Sequence, residues 1–188
     1  MMNKEVIKAI KSRRSTRQFL SKQVDREIIE TIVECGFYAP SSYNTQTWHF
    51  TVVQDEKLIS DINFAAKEAS RLSGDSNLMP LADNKDFDIF YGAPTIIVVS
   101  GQKDGLSPVI DCALASQNML LAAEALGIGS CWNGIVKWLF QSDQADNFKE
   151  KLNIPESYQV YHAIAIGHKA REYSNFPRRD YYKANYIG

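Results

Sequence analysis

Ser107-Pro108 opens a stretch that is apolar on nearly every side until Gly127. A serine followed by proline at the first helical position is a helix start, and a glycine just past the last apolar residue is a natural stop. Between them, Ala113, Leu114, Leu120, Leu121 and Leu126 leave no continuous polar face. A helix of that kind must be covered all round, so it belongs at the centre of the molecule. A second constraint is Ile96-Ile97-Val98-Val99, which follows Pro94. A continuous β-branched run predicts a central strand buried on both faces.

The other elements arrange themselves around these two. Val6, Ile7 and Ile10 share one face of a short helix over 3–11. Asp25 reads as an N-cap, with Ile28, Ile29, Ile32 and Val33 at helical spacing behind it and Val24 and Ile29 placed as a hydrophobic staple. That helix must end before Pro40. Trp48, Phe50 and Val52 alternate with His49 and Thr51, the pattern of a half-buried strand. A third helix follows Asp55, with Leu58, Ile59 and Ile62 facing inward. Residues 71–88, polar and broken by Gly74 and Pro80, read as a loop. Residues 129–134 read as a turn-rich link, 142–152 as a short helix and 160–166 as a strand. The expected fold is a single α+β domain over residues 1–188, with a mixed sheet flanked by helices. The tail carries Tyr181, Tyr182 and Tyr186, too aromatic for a free disordered end, and is expected to pack on another surface.

Charge narrows the partners. The chain has 188 residues and a formal net charge of −1. Residues 4–17 hold six basic side chains and one acid, and residues 169–183 hold five and two. Both ends are therefore basic and the middle is acidic, a balance that argues against nucleic acid. Residues 1–20 are too charged for a secretory signal, and no stretch is long and apolar enough for a membrane span. Cys35, Cys112 and Cys131 have neither disulfide nor zinc spacing. A cytoplasmic protein without metal is expected.

Three segments carry candidate chemistry. Lys11-Ser12-Arg13-Arg14-Ser15-Thr16-Arg17 offers guanidinium forks and a hydroxyl to an anion, or is a solvated basic face. Ala39-Pro40-Ser41-Ser42-Tyr43-Asn44-Thr45-Gln46 joins a helix to a strand; it can present donors to a polar planar ligand, or be an ordinary connection. Gly127-Ile128-Gly129-Ser130-Cys131-Trp132-Asn133-Gly134 is neither a dinucleotide fingerprint nor a P-loop, because Trp132 stands at the sixth place and Ile135-Val136 follow the last glycine. Its glycines still permit a close backbone approach to a ligand. His49 and His162 fall in strands and read as packed residues, Cys131 as a small buried side chain, and Glu124 as an acid at the wet edge of the long helix.

Taken in order, Arg13-Arg14-Ser15-x-Arg17-x-Phe19, Ala39-Pro40-Ser41-Ser42-x-Asn44-x-Gln46-x-Trp48 and Leu126-Gly127-Ile128-Gly129-Ser130-Cys131-Trp132 resemble the nitroreductase family of FMN-dependent oxidoreductases. Asp111-Cys112-Ala113-Leu114-Ala115-Ser116-Gln117-Asn118-Met119-Leu120 resembles that family's central helix, and Ile164-Ala165-Ile166-Gly167-His168 its last core strand.

The resemblance implies a sandwich that forms an obligate homodimer through the long helix, with C-terminal segments wrapping the partner and FMN at the interface. It implies that Arg13, Arg14 and Ser15 hold the phosphate and that Arg17 lies at the N1 edge of the flavin ring. Pro40, Ser41, Ser42 and Asn44 would come from the other subunit. Trp132, Asn133 and Gly134 would approach the ring near N5, and Arg178 and Arg179 would complete the phosphate pocket. No side chain is assigned as catalytic. The implied reaction passes electrons by ping-pong from NADH or NADPH through FMN to a small acceptor such as a nitroaromatic or quinone. The alternatives are a non-catalytic flavin sensor or store, and a same-fold reaction such as reductive dehalogenation. The chain departs from the family pattern at Gln46-Thr47-Trp48, where the family often has Gln-Pro-Trp, and at Asn133-Gly134-Ile135, where a second glycine is common.

Overall fold

The computed structural model describes residues 4–172 and 178–188. In order, the elements are α1 (Lys4–Ser12), α2 (Arg26–Phe37), β1 (Trp48–Val53), α3 (Glu56–Leu72), α4 (Met79–Asp83), β2 (Thr95–Gln102), α5 (Pro108–Ala125), β3 (Gly129–Asn133), α6 (Ala145–Lys151) and β4 (Tyr158–Gly167). Short 3-10 turns cover Ser42–Asn44, Ile135–Gln141 and Tyr181–Lys183.

The sheet order is β1-β2-β4-β3, and every neighbouring pair is antiparallel. The expected mixed sheet is thus corrected. Parallel pairing among the described residues is confined to a single bridge from Ser15, outside the strands, to Ser130 of β3.

Side chains of β2 alternate between two cores, as a pleated strand requires. Ile96 and Val98 face a core with Ile59, Ile62, Leu139 and Phe148, contributed by α3, the Ile135–Gln141 turn and α6. Ile97 and Val99 face the other way, toward Ile29, Ile32, Cys112, Ala115 and Met119 of α2 and α5. The β-branched run is fully buried because both faces of the strand are covered.

The long helix begins and ends where Pro108 and Gly127 indicated. Gly127 has a φ of +73°, the left-handed stop that a glycine adopts without strain. It is not covered on all sides within this chain: Val109, Ile110 and Leu114 are exposed. The apolar face of α1 (Val6, Ile7 and Ile10) is exposed too, and α1 buries no residue. Tyr182, Tyr186 and Ile187 are almost wholly exposed as well.

Two further differences from the sequence reading concern local elements. Residues 129–133 form a strand rather than a link, because their backbone completes the β4 edge from Gly129↔Gly167 to Asn133↔Ala163. Residues 79–83 form a helical turn inside the segment read as a loop. No helix among the described residues is long and apolar enough to cross a membrane.

The acids that precede α2 and α3 differ as caps. The Asp55 carboxylate accepts from the Leu58 amide at 2.7 Å, whereas Asp25 makes no side-chain cap bond. Asp55→Ala should therefore cost about 1 kcal/mol. Asp25→Ala should stay within roughly 0.5 kcal/mol, as for surface substitutions. Urea unfolding of the two variants distinguishes these outcomes.

Candidate functional site

The basic segment is built by the end of α1 and the edge of the sheet. The Arg14 guanidinium folds back, Nη1 donating to the carbonyls of Lys11 (2.8 Å), Ser12 (3.2 Å) and Arg13 (2.7 Å). Those carbonyls are left without helical partners at a C-terminus, so Arg14 closes the helix end. The chain then runs beside β3, where the Thr16 amide donates to the Ser130 carbonyl at 2.9 Å.

Alternation buries Thr16 against Gly129 and leaves Ser15 and Arg17 on the other side. A Cβ on Gly129 would lie 2.9 Å from Thr16 Oγ1 and Cγ2, so this approach requires the glycine. Arg17 reaches toward Tyr91, with Cζ 5.9 Å from the ring centroid. Ser15, Arg17 and Arg13 all lie close to Cys131. Burial pushes that thiol up, while the Arg17 charge, the Ser15 hydroxyl and the Arg13 charge oppose it. A thiol raised by burial is not a poised nucleophile.

A second clamp holds this segment. Glu124 on α5 accepts from Ser12 Oγ at 2.8 Å and pairs with Lys169 Nζ at 2.9 Å. The carboxylate expected at a wet edge is instead largely enclosed, its side chain 14% exposed. It joins the ends of α1, α5 and β4, and so fixes where residues 13–17 begin.

The loop at residues 40–46 is held from the other end of α5. Asp111, 1% exposed, accepts from the Ser42 amide at 3.1 Å through Oδ1 and from the Thr47 hydroxyl at 2.9 Å through Oδ2. Ser41 Oγ accepts from the Gln46 amide at 3.0 Å. Within the loop Tyr43 (φ 50°), Asn44 (φ 56°) and Gln46 (φ 49°) are left-handed, and none is glycine. Each such position stores of order 1–3 kcal/mol, less for Asn, and persists only where surrounding bonds over-determine it. Pro40, Tyr43 and Asn44 are exposed, and Ser41 and Ser42 half-buried.

The structure therefore brings residues 13, 15 and 17 together with Ser130 and Cys131 at one end of α5, while residues 40–44 are held at the other. Asp111 and Glu124 anchor the two groups, and at 1.5 Å per helical residue they lie about 20 Å apart along α5. The strands behind them, β1 and β3, form opposite edges of the sheet. Arg178 and Arg179 are exposed in the segment leading to the Tyr181–Lys183 turn; Phe176 and Pro177 lie outside the described residues.

Trp132, Asn133 and Gly134 shape the remaining wall. The Asn133 side chain is committed to structure: Nδ2 donates to the Ile89 carbonyl at 2.7 Å and Oδ1 accepts from the Val136 amide at 3.1 Å. The half-exposed Trp132 ring covers Gly134, where a Cβ would lie 2.6 Å from it. Its other neighbour is His162, with ring centroids 5.4 Å apart. Trp132, Gly134 and His162, with Ser116, Gln117 and Tyr161, line a cleft of about 540 Å³ beside α5. His162 is buried and lies 2.6 Å from Ser116 Oγ.

A family model described as the nitroreductase family matches residues 10–168. The chain belongs to the nitroreductase family. It is similar to a nitroreductase with bound FMN from Bacteroides fragilis, with a TM-score of 0.90 and 33% identity over 98% of each chain. A nitroreductase with bound FMN from Desulfitobacterium hafniense superposes with a TM-score of 0.89 and 30% identity over the full length of both. A protein of Archaeoglobus fulgidus, provisionally named an NADH dehydrogenase/NAD(P)H nitroreductase, is 31% identical over 96% of this chain and 91% of its own.

In this nitroreductase-family chain Asp111, Glu124 and His162 were not assigned as site residues from sequence. The available signal for the two acids was a carboxylate at each end of an apolar helix. His162 offered none, since a strand histidine is usually only packed. Its burial has a measurable consequence: the imidazole pKa is lowered from 6.5 to about 4. Between those values the unfolded chain binds a proton that the folded chain does not, so stability falls as pH falls from 6.5 toward 4. The loss should reach roughly 2–3 kcal/mol by pH 4.5. His49, lowered by burial as well, adds a loss of the same sign. Urea midpoints at pH 7 and 4.5 should show a shallower dependence for His162→Gln than for the native chain.

Proposed function

We propose that residues 1–188 form one FMN-binding domain that works as a cytoplasmic homodimer, transferring electrons from NADH or NADPH to a small acceptor such as a nitroaromatic or quinone. The observation that carries this reading is the separation of the two loops along α5. A second copy whose α5 crosses the first antiparallel, about a twofold axis, places residues 40–44 of one chain near residues 13–17 of the other. Such an isologous contact also covers the exposed apolar residues of α1 and α5. The exposed tail aromatics fit a segment that lies on the partner.

The donor set fits FMN. Arg13 and Ser15 supply a guanidinium fork and a hydroxyl for the phosphate. Arg17, beside Cys131 and Tyr91, sets a cation at the N1 edge, where reduction leaves negative charge. The backbone of Asn133 and Gly134 faces the ring near N5, with the Asn133 side chain tied to Ile89 and Val136. Arg178 and Arg179 are assigned to the phosphate from the C-terminal segment. Bound FMN supplies the hydride and electron chemistry, and the chain supplies position and charge.

Purified protein should take up FMN, sediment as a dimer, and show flavin bleaching with NADH or NADPH under anaerobic mixing. A panel of nitroaromatic, quinone and halogenated acceptors then identifies the reaction. Flavin bound but reduced by neither nicotinamide would instead indicate a store or sensor, and failure to take up FMN would refute the reading. Arg17→Ala should move the midpoint potential of the bound flavin negative, on the order of 30 mV, or about 1.4 kcal/mol for two electrons. An unchanged potential would remove Arg17 from the N1 edge.

A further inference from the structure

We propose that Asp111 is a positioning residue that holds the 40–46 loop in its ligand-binding shape, and that Thr47 is its working partner. The proposal rests on the reading of that loop as the partner-facing half of the flavin site. Three independent features point to it. First, the carboxylate is buried at the start of α5 and spends both oxygens on this loop, one on the Ser42 amide and one on the Thr47 hydroxyl. Second, Tyr43, Asn44 and Gln46 all sit in the left-handed region without a glycine among them. Left unheld, Tyr43 and Gln46 would relax to ordinary backbone, and the side chains of Ser41, Ser42 and Asn44 would turn with them. Third, Thr47 is itself buried where the loop meets β1, so its hydroxyl depends on the Asp111 oxygen as acceptor.

Thr47 is fixed on every side. It is 1% exposed, its carbonyl accepts from the Gln102 amide at 2.9 Å, and its Cγ2 packs where a Cβ on Gly105 would come within 2.7 Å. The hydroxyl is therefore aimed at Asp111 by the β2 end and cannot swing away. Asp111 grips the loop at Ser42 and Thr47, on either side of the left-handed residues. Because α5 is also the helix assigned to the dimer contact, the same carboxylate fixes the loop relative to the partner's residues 13–17. Ser41, just before the first of these grip points, adds a bond within the loop, its hydroxyl accepting from the Gln46 amide.

The test uses the full chain with two readouts: hydrogen exchange of the 41–47 amides without flavin, and the Kd for FMN from fluorescence quenching. Asp111→Ala should speed exchange at the Ser42 amide and raise the Kd at least tenfold. Asp111→Asn should keep both within about threefold of the native chain, because its amide oxygen can still accept from Ser42 and its amide nitrogen can donate to the Thr47 oxygen. Thr47→Val, which removes one arm with little change of shape, should fall between them, and it carries the test if Asp111→Ala does not fold. Asp55→Ala, which weakens the fold elsewhere, should leave the Kd unchanged. Native-like exchange and Kd in folded Asp111→Ala or, failing that, in Thr47→Val, would overturn the proposal. So would a Kd that rises as much in Asp55→Ala. If the native chain takes up no FMN, the flavin reading fails on its own, and the exchange data still decide whether Asp111 orders the loop.

Discussion

A carboxylate is enclosed near each end of α5, and each ties a segment of the candidate site to that helix. Asp111 near the start holds the 40–46 loop and Glu124 near the end holds Ser12 and Lys169. A buried charge left without partners is costly, so each carboxylate compels the surrounding chain to supply donors. The helix between them is rigid and sets a spacing of about 20 Å. One chain therefore carries two groups of candidate ligand residues at different ends of the same rod, and the proposed twofold crossing of that rod would account for both the spacing and the uncovered apolar surface beside it.

The two segments are held in different ways. Residues 13–17 are held by backbone pairing to β3, with Arg14 turned back to close α1 and with Arg13, Ser15 and Arg17 gathered near Cys131. That segment is extended and unstrained. The 40–46 loop contains three left-handed residues, a conformation that costs free energy and needs external bonds. Strain of this kind is kept where a specific presentation of small polar groups matters more than local stability. Trp132 adds a flat, half-exposed ring over Gly134, backed by the buried His162–Ser116 pair.

Most elements were legible because their cause is local. Ile96-Ile97-Val98-Val99 could only suit a strand covered on both faces, and Asp55, Pro108 and Gly127 mark helix ends through their own side chains or their lack of one. β3 escaped the reading for a physical reason. Gly129, Ser130 and Cys131 are small and do not alternate, so the strand exists through hydrogen bonds to β4, far off in sequence. The antiparallel character of the sheet was likewise invisible, since it depends on how crossovers are routed. Within the site, the three motifs were legible as motifs. The roles of Asp111, Glu124 and His162 were not, because a carboxylate in an apolar helix and a histidine in a strand look alike whether idle or committed.

The sequence by itself determined most of the helices and strands, which apolar residues need cover and which polar residues could meet an anionic planar ligand, because periodicity, capping and side-chain chemistry act over a few residues. Tertiary structure alone decided that residues 13–17 lie against Ser130 and Cys131 and that residues 40–44 lie at the far end of α5. Those placements depend on sheet register, on the Asp111 and Glu124 hydrogen bonds, and on the length of one helix, all of which join residues remote from one another along the chain.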